Sequence, residues 1–95
     1  MVYAIFIGQV QDFDKWKTVY DKDKSSLLKA AGAKSGQVLR GLVNPNAIIV
    51  TIEFENLKSA KNFAESDMLR DRMQLGGVIG TPDIHFAKEI EKTNL

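Results

Sequence analysis

Two side chains in this sequence combine the right chemistry with an unusual setting. Glu53 lies near the end of the run Ala47 to Phe54, reading AIIVTIEF, where it is a carboxylate among aliphatic residues. A carboxylate withdrawn from water must find a partner or shift its pKa. Glu53 therefore reads either as a general base or as one half of an ion pair with a cation of a second subunit. His85 is the only histidine. Facing a cavity, its imidazole can act as a general base or orient an oxyanion, and otherwise it is a hydrogen-bonded structural residue. Tyr3, Trp16 and Thr51 are candidates for lining a pocket for a flat apolar ligand, although aromatic residues at strand or helical spacing also serve as plain core. With no cysteine and one histidine, the chain offers no thiolate nucleophile, no disulfide and no spaced ligand set for a metal, so no metal or cofactor is expected.

The elements that must position these residues follow from composition and periodicity. The 95 residues make one domain over 1–95, with a core small enough that oligomerisation would help its stability. Thirteen basic and twelve acidic residues leave a net charge of +1, which supplies no field for nucleic acid or an anionic membrane. No stretch approaches the roughly 20 apolar residues of a membrane span, and the start MVYAIFIGQV lacks a cationic leader. A cytoplasmic protein is expected.

Val2 to Val10 is apolar almost throughout and reads as a strand buried on both faces. Asp12 caps a helix whose apolar positions Phe13, Trp16, Tyr20, Leu27 and Ala31 recur at helical spacing up to Gly32. The polar turn Asp21 to Ser26, DKDKSS, interrupts that stripe and reads as a solvated face, with a pocket rim as the alternative. Gly36 to Val43 is a shorter strand, bent at Gly41 and suited to an edge. Asn44, Pro45 and Asn46 turn it back into the central strand Ala47 to Phe54. Asn56 caps a helix carrying Leu57, Ala60, Phe63 and Ala64; Ser66 or Asp67 starts a short one carrying Met68, Leu69, Met73 and Leu75. After Gly76 and Gly77, a last strand runs from Ile84 to Ile90.

The order is β-α-β-β-α-β, the ferredoxin-like α+β arrangement, in which an antiparallel sheet has its first and third strands in the middle and helices on one face. Ile48, Val50, Ile52 and Phe54 form the face assigned to the helices. The opposite face carries Tyr3, Ile5, Ile7, Ile49, Thr51, Glu53 and His85, too apolar to be left in water.

A chain of this order and size resembles the dimeric α/β-barrel superfamily, where two such sheets face each other. The resemblance is carried by DFDKW with its following YDK, by VTIEFENLKSAKNFAESDMLRDRM, and by GVIGTPDIHF. It is most specific for small, mostly uncharacterised relatives of the antibiotic-biosynthesis monooxygenases. What it implies is a homodimer enclosing a cavity, a small apolar or aromatic ligand, and cofactor-free oxidation or isomerisation with Glu53 or His85 as base and the first helix as lid. A ligand-binding or structural dimer without catalysis is the alternative. The haem-degrading branch has a Trp where this chain has Phe63, a haem-binding His where it has Met73, and an Asn near Ile7; all three are absent. Relatives of the closer subfamily often carry a His near Asp23, where this chain has only DKDK. RNA-recognition domains share the topology, and IFIGQV is close to the shorter of their two motifs. Yet IIVTIEF offers aliphatics and Glu where bases would stack, so no nucleic-acid partner is expected.

Overall fold

A computed structural model describes all 95 residues. Four strands, β1 (Val2–Gln9), β2 (Ser35–Arg40), β3 (Ala47–Phe54) and β4 (Asp83–Lys88), form one antiparallel sheet in the order β2-β3-β1-β4. Three helices, α1 (Phe13–Asp23), α2 (Leu57–Ala64) and α3 (Asp67–Leu75), connect them. This is the ferredoxin-like order, with the two most apolar strands at the centre.

The register shows why the helices take one face. Ala4, Phe6, Ile48, Val50, Ile52 and Phe54 all point to the helical side and are buried, and Phe63 of α2 meets both Phe6 and Phe54 edge-on or tilted. Only one face of β1 is closed within the protomer: Tyr3 and Ile5 are half-buried and Ile7 is exposed. On that open face the register aligns Ser35, Glu53, Tyr3 and Ala87 in one row, Gln37, Thr51, Ile5 and His85 in the next, and Leu39, Ile49, Ile7 and Asp83 in the third.

Three features differ from the sequence reading by more than one residue. β2 ends at Arg40, because Gly41 is so tightly turned that a Cβ there would lie 2.3 Å from the Asn44 carbonyl oxygen. Leu42 and Val43 therefore stand outside the sheet, fully exposed. β4 stops at Lys88, so Ile90 is exposed and unpaired. The first helix does not continue unbroken to Gly32; at Lys24–Leu28 it widens into a π-helical turn, and the Ser26 hydroxyl donates to the Lys22 carbonyl at 3.1 Å. Gly32 is the expected stop, with φ of 87°. The caps form where the sequence placed them: Asp12 accepts from the backbone N–H of Asp14 and Lys15, Asn56 from that of Ser59, and Ser66 from that of Leu69.

Phe54 has no exposed surface and sits between β1 and α2, so Phe54→Ala is expected to lower unfolding free energy by about 3–5 kcal/mol. Leu42→Ala, at a fully exposed loop position, should change it by less than about 0.5 kcal/mol. Denaturant melts of the two variants check both values, and comparable losses would place the core elsewhere.

Candidate functional site

An apolar cavity of the chain lies between the sheet and the helices. α1 brings Trp16, Val19, Tyr20 and Asp23 over it; Leu27 and Leu28 of the π-helical turn close one end; and α3 supplies Leu69, Arg72 and Met73. The floor is Phe6, Ile48, Val50 and Ile52. Thirteen of its 17 lining residues are hydrophobic. The space open to the centres of water molecules is about 70 Å³, several times the ~10–15 Å³ that one water centre occupies.

Glycines set the shape of this space. At Gly8 a Cβ would come 3.1 Å from Pro82 Cβ, and at Gly76 it would come 3.0 Å from Trp16 Cδ1. The bare backbone thus lets the Pro82 loop close on β1 at Gly8 and the indole pack against the end of α3 at Gly76. Gly36 does the same for Tyr20, whose hydroxyl would lie 2.9 Å from a Cβ at that position. Trp16 stacks on Tyr20 with centroids 5.3 Å apart and leans on Phe13 at 5.8 Å, and Arg40 lies 4.2 Å over the Phe13 ring.

One charged pair stands in this apolar lining. Arg72 Nε donates to Asp23 Oδ1 at 2.9 Å, joining α3 to the end of α1. The Asp23 side chain is 13% exposed and that of Arg72 31%. With Nε committed to Asp23, the Nη edge of the guanidinium is left for another partner.

The pair went unrecognised in the sequence, although a signal for it exists. Asp23 is three residues after Tyr20 and four before Leu27, so it occupies a position on the apolar stripe rather than the solvated side. Arg72 is three after Leu69 and one before Met73. The DKDKSS segment is therefore a pocket rim at Asp23 and a solvated face at its other residues, which are exposed. There Lys17 and Lys24 both reach Asp21, and their hydrogen bonds hold its carboxyl below the usual aspartate range.

Of the five residues singled out from the sequence, Trp16 alone lines the cavity, and it is at once core and wall. Tyr3, Thr51, Glu53 and His85 stand on the opposite face of the sheet, because their strand positions alternate away from Ile52, Val50 and Ile84. They do not meet as one constellation. Glu53 is half-exposed and already partnered within the protomer, accepting from Tyr3 Oη at 3.1 Å and from Ser35 Oγ at 3.2 Å. His85 is exposed opposite Ile5 and makes no side-chain hydrogen bond or ion pair. No three His, Cys, Asp or Glu side chains are grouped so that they could hold a metal ion, and no helix is long and apolar enough to cross a membrane.

Compared by sequence, the chain matches no family model and no curated protein. Compared by structure, it superposes over almost its whole length on a candidate antibiotic biosynthesis monooxygenase from Bordetella bronchiseptica, with a TM-score of 0.77 and 14% identity, covering 95% of this chain and 97% of that one. It shares the antibiotic biosynthesis monooxygenase fold. SnoaB of Streptomyces nogalater, a cofactor-independent oxygenase, gives a TM-score of 0.77 at 8% identity, with 96% of this chain and 94% of that one covered. A conserved protein from Methanosarcina mazei Go1 gives 0.73 at 16% identity, over 93% and 91% of the two chains. In this company the ferredoxin-like architecture inferred from the residues is confirmed.

Both tyrosines are held protonated beyond their ordinary range, for different reasons. The hydrogen bond to Glu53 is the main cause at Tyr3, followed by desolvation and the charges of Glu53 and Glu89; burial is the main cause at Tyr20. Raised folded-state values mean that this contribution to stability is complete below pH about 10 and is lost as the pH rises through the folded values. A titration of phenolate absorbance should therefore place both ionisations above that of a free tyrosine derivative. Tyr20→Phe should remove one of the two steps. A step at or below the free value would contradict the geometry of that residue.

Proposed function

We propose that this protein is a homodimer that binds a small apolar or aromatic molecule between its sheet and helices and oxidises it without a cofactor. The observation that carries this reading is the Asp23–Arg72 pair, the charged pair in an otherwise apolar cavity. Such a cavity concentrates a flat apolar substrate, and one carboxylate beside a guanidinium provides both a proton acceptor and a stabiliser for the anion that proton loss creates. The fold of SnoaB, a cofactor-independent oxygenase, supports the same chemistry.

In the proposed reaction the Asp23 carboxylate removes a proton from an activated carbon of the substrate, and Arg72 stabilises the resulting oxyanion. Dissolved dioxygen then accepts electrons from that anion directly. One oxygen atom remains on the carbon as a carbonyl; the other leaves as water with the two hydrogens the carbon has lost. Isomerisation uses the same first step, with the proton returned to a different carbon. Glu53, placed on the other face of the sheet and bonded to Tyr3 and Ser35, is in this reading an interface residue and not the base.

The dimer is proposed from the open face. Leu39, Ile49 and Ile7 form a continuous apolar row across three strands, and they are 45%, 38% and 42% exposed. A second copy laid sheet to sheet would remove that row from water. Light scattering at micromolar concentration should give twice the 10.6 kDa chain mass, and Ile49→Asp should restore the single mass. A wild-type monomer at high concentration would remove this part of the proposal.

Oxygenation is tested with 2-indanone, whose ring system is small and whose benzylic carbon is acidic. Oxygen uptake above the buffer rate is expected, with Asp23→Asn reducing it by roughly 10²-fold and Glu53→Gln leaving it unchanged. Loss with Glu53→Gln and none with Asp23→Asn would move the chemistry to the opposite face.

A further inference from the structure

Beside that cavity runs a second, larger space of about 350 Å³, between α2, α3 and the loop that leads into β4. The two spaces share three wall residues, Met73, Val78 and Pro82. Their linings differ in kind. Whereas the first cavity is predominantly apolar, the second carries Ser66, Arg70, Gln74 and Thr81. Arg70 is well exposed, and its only ion pair is a long one, 3.3 Å to the equally exposed Asp67 one helical turn away. Exposed pairs of this type contribute little, so the guanidinium is free to exchange Asp67 for a better acceptor. Met73, half-buried at the partition, is the most deformable of the three wall residues; an unbranched thioether can swing aside at small cost where Val78 and Pro82 cannot.

From this adjacency we infer that the protein's ligand is a two-part molecule: a flat apolar ring system in the first cavity, joined by a short chain passing Met73 to a carboxylate that Arg70 binds in the second. The inference rests on the proposed ligand-binding reading of the first cavity and adds the substrate class to it. Arg70 is then a specificity-determining residue. It selects acids over neutral analogues of the same shape, and takes no part in the proton transfer assigned to Asp23. The chain between ring and acid must be long enough to round Met73, so an acid attached directly to the ring gains nothing from Arg70.

The probes are 4-phenylbutyrate and its neutral analogue 4-phenylbutanol, titrated by calorimetry into the wild-type protein, Arg70→Ala, Arg72→Leu and Met73→Trp. The acid should bind the wild type about tenfold more tightly than the alcohol. Arg70→Ala should abolish that difference while leaving the alcohol's affinity unchanged. The difference should narrow as salt is added, since Arg70 is well exposed. Met73→Trp, which thickens the partition, should weaken both long probes more than it weakens toluene, which needs the first cavity alone. If Arg72→Leu removes the preference for acid and Arg70→Ala does not, the carboxylate lies inside the cavity and the two-compartment inference is overturned while the binding reading stands. Equal affinities of the two probes for the wild type would overturn it in the same way. If neither probe nor toluene binds, the binding reading itself fails and this inference with it.

Discussion

The strict alternation of β3 is the constraint on which the other features depend. Ile48, Val50, Ile52 and Phe54 give the centre of the sheet one purely apolar face, and apolar area of that extent, at roughly 25 cal/mol per Å² buried, decides where the helices must go. A one-residue slip would place Glu53 and Thr51 beneath them, so the register is strongly specified. With α2 packed through Phe63 onto Phe54 and Phe6, α1 and α3 cover the remaining half of the face. They are joined over it by the Asp23–Arg72 pair, with the Trp16 indole packed against Gly76 at the end of α3.

The pair lines the space beneath it. Two leucines or a leucine and a phenylalanine meeting at these positions would fill the volume at ordinary core density. An aspartate and an arginine bonded head to head hold α1 and α3 together while leaving the floor residues Ile48 and Val50 exposed to a cavity. The π-helical turn that follows Asp23 belongs to the same arrangement, because its wider winding brings both Leu27 and Leu28 to the cavity. Folding and site are in this way two consequences of one feature. A partly buried ion pair is weak evidence of stability by itself, which makes its presence at the centre of a small domain a pointer to use.

Topology, sheet order, cap residues and the helical face were legible in the sequence, since each depends on local pattern: apolar alternation in β3, Asp12, Asn56 and Ser66 before their helices, Gly32 after one. The ends of β2 and β4 were less so. Leu42, Val43 and Ile90 have strand-like side chains, but the turn at Gly41 and the length of β1 determine where pairing stops. Of the cavity lining, only Trp16 was singled out in the sequence. Glu53 attracts attention because it is acidic among aliphatics along the chain, yet in space its neighbours are Tyr3 and Ser35 from the adjoining strands. Asp23 escapes attention because charged residues surround it in sequence, and only the helical stripe through Tyr20 and Leu27 shows that it turns inward. Arg72, its partner, is 49 residues away. No local pattern records such a pairing.

The central claim is that the ligand site is the space between helices and sheet, and not the open sheet face. Backbone amide shifts recorded during titration with toluene test it directly, because the two faces of each strand carry different residues. The largest and saturable changes are expected at Trp16, Leu28, Leu69 and Met73, with a matching change in the emission of Trp16, the sole tryptophan. Saturable changes centred on Ile7, Gln37, Leu39 and His85, with Trp16 emission unaltered, would contradict it.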